Sequence, residues 1–522
     1  MGMNLHNSPQ PEPTAGPGLR QTSWIYRIFQ YGFALWAGLL FCVCLRWHNN
    51  PFLSLGRVKL AITSLLCAGV LYVLFRFWER VIPVPRHPRR AALVLLAVYG
   101  MLLVAFGLLM QVKFGPSWDF PVVASEAAAF VLEGTPPGTY FVLGISNAPL
   151  YWVHVGCFRL LYALGVRDLM PGLVLLNCAC ILISLYLFYR AAALIWDEKR
   201  ALFVLCCAFL YPGLFLYAPI AYTDTLSLPF VSGAVLLWLR ARCMLIEGDA
   251  PRALRFAVAA CFVTALGAVL KVSVAVLAVA FVIDLVLLWK GRIRWYALAA
   301  SAVCFLVVLF GGIRLSHTGF PEYDQEPFPL THWIMMGLHE NGGYWDPDFQ
   351  LTLQYDTYEE RAAFTREEIV RRIEAMGLEG FIRHCVNKLS YIYSDGACYA
   401  PCKLDIGARY PNPLHDWTIQ GGKYTGYLHY AADSLQLCLL ALCAWGGLCA
   451  ARRNQAQTAF LRVAWFGLAL FLLIWEARSR YVVNFLPIFL LCAAGGLPEP
   501  GETWSVLKNR KTKIKEDGGS AE

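Results

Sequence analysis

The stretch 111–133, QVKFGPSWDFPVVASEAAAFVLE, sets one carboxylate, Asp119, between Trp118 and Phe120 just past an apolar run. An acid at the boundary between hydrocarbon and water can take a proton from an attacking hydroxyl. It can equally hold a divalent cation that neutralises a departing phosphate. Its plain reading is a loop acid facing water. Pro116 and Pro121 argue against helical backbone around it. From Val122 to Glu133 the pattern predicts a short surface helix, stopped by Gly134, Pro136 and Pro137. Glu126 shares a face of that helix with Val122 and Val123, as an assisting acid or a solvated one.

Other groups stand at the ends of apolar runs. Asp224, in the Tyr222-Thr223-Asp224 turn, either caps the next helix or faces Asp119 across a cavity. Lys271 lies where two apolar runs meet with no loop between them. An ammonium there faces a polar cavity, where a lipid phosphate would satisfy it, or snorkels to the interface. The sequence Trp475-Glu476-Ala-Arg478-Ser-Arg480-Tyr481 puts two arginines in a short turn with a glutamate to orient one. That suits a bidentate grip on phosphate. Tyr481 and Asn484 add hydrogen bonds. His332 and Trp333 belong to an apolar segment expected to pack over the cavity, and the His332/His339 spacing is weak evidence for a metal. Tyr140 and Asn147 either touch an acceptor or cap the helix that follows. Trp118, Asn147, Tyr222, His332 and Glu476 are the candidate substrate contacts.

The elements that must position these groups are apolar helices. Of 522 residues, 58% are hydrophobic and 15% charged, against roughly 25% charged in soluble domains. Runs long enough to cross a bilayer recur. The expected fold is an all-α polytopic membrane protein with about twelve crossings, near 24–45, 59–78, 91–111, 171–195, 201–218, 225–241, 253–270, 272–290, 295–312, 427–450, 459–475 and 480–497. The segment 148–165 is expected to lie along the membrane without spanning it. The polar stretch 1–23 precedes the first run, which lacks a cleavage site and reads as an uncleaved anchor. The parts are then a module at 24–312 with an outer loop at 112–170, an insertion at 313–426, C-terminal helices at 427–497, and a charged tail at 498–522.

Lys and Arg set the orientation. The loops holding Arg76 to Arg90, Lys199 to Arg200, Arg240 to Arg255, Lys290 to Arg294 and Arg452 to Arg462 fall inside the cell, with the tail. Asp119, the Tyr222–Asp224 turn, the insertion and Glu476–Tyr481 then share the outer face of the plasma membrane. The insertion carries sixteen acids and ten bases, a net of −6, leaving +15 for the rest. Within it Thr365-Arg-Glu-Glu368 reads as a capping box opening a helix to Ala375, with Gly377 as its stop and a second helix from Gly380 to Tyr393. Most of the 18 cysteines lie in apolar runs and act as small hydrophobes. Cys398 and Cys402, in the insertion, form a disulfide or two free thiols; a metal pair is disfavoured because no His or Cys partner stands nearby in sequence.

This order of features resembles the C-type (GT-C) membrane glycosyltransferases, within them the protein O-mannosyltransferase-like and aminoarabinose-transferase-like branch. The features are the Asp119 loop and its helix, Tyr-Thr-Asp224, Lys271, and Glu476-x-Arg478-x-Arg480-Tyr481. The resemblance covers 91–497. It implies a sugar moved from a polyprenyl-phosphate donor to an envelope acceptor, be it glycan, lipid or protein. It implies Asp119 as base or metal-site acid, with a divalent cation, magnesium or manganese, as the cofactor in question. Lys271, Arg478, Arg480 and Tyr481 are then expected to hold the donor phosphate, with Asp224 and Glu126 as further catalytic acids. Two features depart from that pattern: Asp119 is followed by Phe120 where an acid is common, and two helices precede the usual first one. A polysaccharide polymerase or ligase and a lipid-linked sugar transporter or flippase are the alternatives, although the halves of the chain show no similarity to each other. No nucleic-acid partner is expected.

Overall fold

The computed structural model describes residues 17–48, 56–321, 326–453 and 455–498. Most of 1–23 and nearly all of the charged tail therefore lie outside the described residues. Among those described, regular structure is helical apart from one isolated antiparallel bridge between Val112 and Ala408. Among the described residues nine helices are long and apolar enough to cross a membrane: Trp24–Arg46, Arg57–Val81, Pro88–Leu109, Met170–Ile195, Thr223–Ile246, Ala250–Leu270, Gly291–Ser316, Thr425–Arg453 and Ala456–Ile474. Val272–Leu288 and Ser479–Ala494 are shorter apolar helices. This is an all-α polytopic membrane protein.

Three elements differ from the sequence reading. The run expected to span at 201–218 is broken: one helix covers Glu198–Phe209 and a second, Pro212–Leu216, starts at a proline. Twelve helical residues reach only about 18 Å, short of the hydrocarbon thickness. The helix expected from Val122 begins at Asp119. Pro121 therefore sits inside its first turn, where the amide it lacks would have had no intrahelical partner. The capping box forms at Thr357 and Glu360, each side chain bonding the other's backbone amide at 3.2 Å. Thr365 is interior to the helix Tyr358–Tyr393 and bonds back to the Arg361 carbonyl. Gly377 does break that helix, at φ 58° and ψ −176°, a backbone state open essentially to glycine alone.

The helix Ala148–Ala163 is too short to span and packs along Asp119–Glu133. The first helix, Pro17–Arg46, packs along Thr425–Arg452, as does Arg57–Val81. The first two helices and the C-terminal helices thus share one core.

The polar loops gather at two ends of the bundle. At one end Lys199 Nζ donates to the Glu79 carbonyl at 2.7 Å, and Arg200 Nη2 donates to the Ala494 carbonyl at 2.8 Å. Arg242 donates there to the carbonyls of Ala456 and Gln457. The other end holds Asp119, Asp224, Lys271 and 476–481. Asp224 and Arg242 bracket one helix, so the ends lie roughly 27 Å apart at 1.5 Å per residue.

The insertion docks on the second end. Lys388, buried in the helix Tyr358–Tyr393, donates to the carbonyls of Gly337 at 2.7 Å and Leu473 at 3.0 Å. The amides of Glu476 and Ala477 donate to the carbonyls of Trp333 at 3.0 Å and Gly342 at 2.8 Å. On the opposite side the amide of Lys113 donates to the Gly407 carbonyl at 2.8 Å, and that of Arg409 to the Gln111 carbonyl at 2.8 Å. The insertion therefore flanks the Asp119 region on two sides.

Candidate active site

Asp119 enters its helix as the first residue, with Trp118 extended before it. The Tyr140 hydroxyl donates to Oδ1 at 3.0 Å, and the Tyr222 hydroxyl donates to Oδ2 at 3.0 Å. Asn147 joins the two phenols: its Nδ2 donates to the Tyr140 hydroxyl at 2.7 Å, and its Oδ1 accepts from Tyr222 at 3.3 Å. Burial, then the Asp119 charge, raises Tyr140 well above the ordinary phenol range. Tyr140 therefore stays a donor. Three side chains from two loops fix one carboxylate, which keeps 38% side-chain exposure. Asp224, by contrast, is fully buried.

Arg480 comes to the same place from the other half of the chain. Its Nη2 lies 3.7 Å from Asp119 Oδ2. The guanidinium sits over the Tyr222 ring at 5.3 Å and the Tyr481 ring at 5.0 Å. Its Nε and Nη1 are buried and have no partner among the described residues. Unmet donors of a buried cation are costly. They suit an oxyanion such as a phosphate or carboxylate, whose oxygens accept from the planar guanidinium.

The remaining cations surround this pair. Lys271 forms an ion pair with Asp224 and lies 4.8 Å over the Tyr481 ring. Its charge is therefore already met, and the tight reversal expected there is a single turn, Val272–Ala275. The Tyr481 hydroxyl donates to Glu476 Oε2 at 2.5 Å. Arg478 lies 4.0 Å from Glu476 Oε1, hydrogen-bonds Tyr399, and packs 4.7 Å over the Tyr399 ring. Lys403 stands 4.2 Å over the Trp118 ring. Burial, then Arg480, pushes its ammonium down to about 7, with Asp119 opposing. Four cationic side chains thus meet three carboxylates around four phenols, Tyr140, Tyr222, Tyr399 and Tyr481.

Several candidates fall elsewhere. Glu126 Oε2 accepts the Gly138 amide at 3.0 Å, so this acid ties down the loop after its own helix and does not share a partner with Asp119. His332 is buried in the insertion's own core, with Nδ1 2.8 Å from the Thr352 hydroxyl and its ring 4.3 Å from that of Phe328. Burial lowers it to about 4. Trp333, one residue on, is the part of that segment that reaches 476. Cys398 and Cys402 are free thiols, as are the other cysteines. A divalent cation at Asp119 fits poorly, because the Arg480 guanidinium, 3.7 Å from Oδ2, already sets a positive charge against this carboxylate.

Lys403 and Tyr399 escaped the sequence reading. They lie beside Cys398 and Cys402, where the cysteine spacing was the visible signal. Nothing local marks a loop lysine as facing an acid nearly three hundred positions earlier.

A helical membrane body with a preformed acid–phenol–guanidinium cluster at one end is the class this geometry defines. The chain belongs to the conserved hypothetical integral membrane protein family, whose profile matches residues 58–499. No curated protein matches it.

Proposed function

We propose that the chain is a membrane glycosyltransferase. It takes a sugar from a polyprenyl-phosphate donor and passes it to a hydroxyl of an envelope acceptor. The observation that carries this reading is Arg480: a buried guanidinium with two unmet donor groups, 3.7 Å from a carboxylate held by two phenols. Anion binder and proton acceptor stand side by side, as transfer from phosphate to hydroxyl requires.

In this reading Arg480, Arg478 and Lys403 bind the donor phosphate, and the Trp118 and Tyr222 rings wall the sugar. Asp119 accepts the proton of the acceptor hydroxyl as its oxygen bonds the anomeric carbon. The bond from that carbon to the phosphate oxygen breaks, and the lipid phosphate keeps the electron pair. Tyr140, Tyr222 and Asn147 aim the carboxylate. Lys271 and Asp224 neutralise each other beneath Tyr481 and position it. The arginine-rich end of the bundle faces the cytoplasm by the positive-inside bias, so the site opens on the extracytoplasmic face of the plasma membrane.

The test is mass spectrometry of envelope glycans, lipids and proteins from cells with and without the chain. Loss of one hexose on deletion is expected, restored by wild type. Asp119→Asn should insert and fold yet lower transfer by about 10²–10⁴-fold, the usual worth of a positioned base. An unchanged envelope, or full restoration by Asp119→Asn, would overturn the reading. Uptake into proteoliposomes without a covalent product would make the chain a transporter instead.

A further inference from the structure

Two aspartates and two histidines meet in a place the transfer reading does not use. Asp395 follows the insertion helix Tyr358–Tyr393. His429 and Asp433 lie four residues apart on Thr425–Arg452, and His48 follows the first helix. Asp395, His429 and Asp433 are 2%, 1% and 0% exposed. One donor atom from each of the three lies within 4.8 Å of the others. Residues at i and i+4 share a helix face, the spacing by which one helix offers two ligands to one ion.

His429 Nδ1 stands 4.0 Å from Asp395 Oδ1, too far for a hydrogen bond. Two ligands of a tetrahedral zinc, each at about 2.0–2.2 Å, lie roughly 3.4 Å apart. A shift of a few tenths of an ångström on each side closes that gap.

The outer oxygens are already held. Asp395 Oδ1 accepts the Ala397 amide at 3.0 Å. Its Oδ2 accepts the Tyr399 amide and the Ser479 hydroxyl, both at 2.7 Å. Asp433 Oδ1 accepts the Gly396 amide at 2.9 Å, and Oδ2 pairs with His48 Nε2 at 3.0 Å. These donors fix the carboxylates, as the supporting groups of metal ligands do. Two carboxylates buried side by side are expensive unless something positive joins them. Gly396 makes the closeness possible: a Cβ there would fall 2.0 Å from the Ala432 carbonyl.

We propose that Asp395, His429 and Asp433 are the protein ligands of a structural divalent cation of the zinc class, with His48 orienting Asp433. The mixed imidazole and carboxylate donors suit zinc over magnesium, which takes oxygen ligands and keeps its waters. The ion joins the 394–399 loop to the helix Thr425–Arg452. Through Ser479 it also steadies the turn that carries Arg478 and Arg480. The inference is independent of the sugar-transfer reading.

The test is metal content by mass spectrometry on the full chain, purified in detergent from zinc-replete cells through weak chelator. Wild type and Asp119→Asn should each carry about one zinc per chain. Asp433→Asn and His429→Gln should carry less than about a tenth of that. His48→Gln should bind with affinity lowered by about 10–100-fold. Stripping wild type with strong chelator should lower its melting temperature, and zinc chloride but not magnesium chloride should restore it. A wild-type chain that holds no stoichiometric metal and whose melting temperature ignores both chelator and zinc would overturn the proposal. So would folded Asp433→Asn or His429→Gln protein that keeps its zinc. Neither readout involves a sugar donor, so failure here and failure of the transfer reading are distinguishable.

Discussion

Lys271 and Asp224 show what a buried ion pair demands of single residues. Asp224 is fully buried and its Oδ2 has no partner among the described residues. Removing the ammonium strands that carboxylate. Lys271→Met should therefore destabilise the protein by about 3–5 kcal/mol, whereas Lys271→Met with Asp224→Leu should return most of it. Thermal unfolding in detergent reads both. A single variant as stable as wild type would mean the pair is not held as described. Lys403 makes a different claim. Its ammonium lies among Arg480, Asp119, Arg478 and Cys402 and loses its proton near 7. A phosphodiester keeps one negative charge across this range and favours the protonated lysine. Affinity for a polyprenyl-phosphate sugar should therefore fall as pH rises above about 7, by up to roughly tenfold per unit. Lys403→Met should bind more weakly at pH 6 and show no such slope. Titration of donor binding between pH 6 and 9 decides it, and a slope that survives in Lys403→Met assigns the proton elsewhere.

At the scale of elements, the sequence speaks clearly where a rule is local and poorly where two local rules compete. Asp119, Arg478 and Arg480 could be picked out because ionisable groups at the ends of apolar runs are rare and tend to be functional. Asp433 is also ionic within an apolar run, yet its partners arrive from the insertion and from the first helix, and no spacing encodes that. Thr357-Tyr-Glu-Glu360 and Thr365-Arg-Glu-Glu368 satisfy the same capping pattern. The earlier one wins because the helical pattern runs unbroken between them. Tyr211-Pro212 marks the break in the 201–218 run, but hydropathy averaged over that run conceals it. Gly377 is the case where the local signal was sufficient. A Cβ there would meet nothing within 4 Å, so any cost of replacing it comes from the backbone alone. Gly377→Ala should cost about 1–3 kcal/mol. It should also speed amide exchange in 366–393 while leaving the spanning helices unchanged. Unaltered exchange there would mean the kink is not enforced by its backbone angles.

Across the whole molecule, framework and site separate along the bundle axis, and Asp284 tests that separation. It is fully buried and absent from any local motif. The Tyr26 hydroxyl donates to its Oδ1 at 2.5 Å, the Trp238 indole donates to its Oδ2 at 2.9 Å, and Arg242 Nη1 lies 3.5 Å from Oδ1. Trp238 also stacks on Phe281 at 4.2 Å, and Arg242 holds the turn before Ala459–Ile474. One carboxylate thus joins the first helix, two central helices and the C-terminal pair, at the end of the bundle away from Asp119. Asp284→Ala leaves a buried guanidinium, a phenol and an indole without their shared acceptor, and should cost about 3–5 kcal/mol. Asp284→Asn keeps an acceptor and should cost less, about 1–3 kcal/mol. Because Trp238, which bonds Asp284, lies roughly 21 Å from Asp224 along one helix at 1.5 Å per residue, donor binding well below the melting temperature should be unchanged in both variants. Thermal unfolding and donor titration on the same preparations separate the two roles. An Asp284→Ala protein that melts like wild type but binds donor poorly would place this carboxylate in the chemistry and dissolve the division between the two ends.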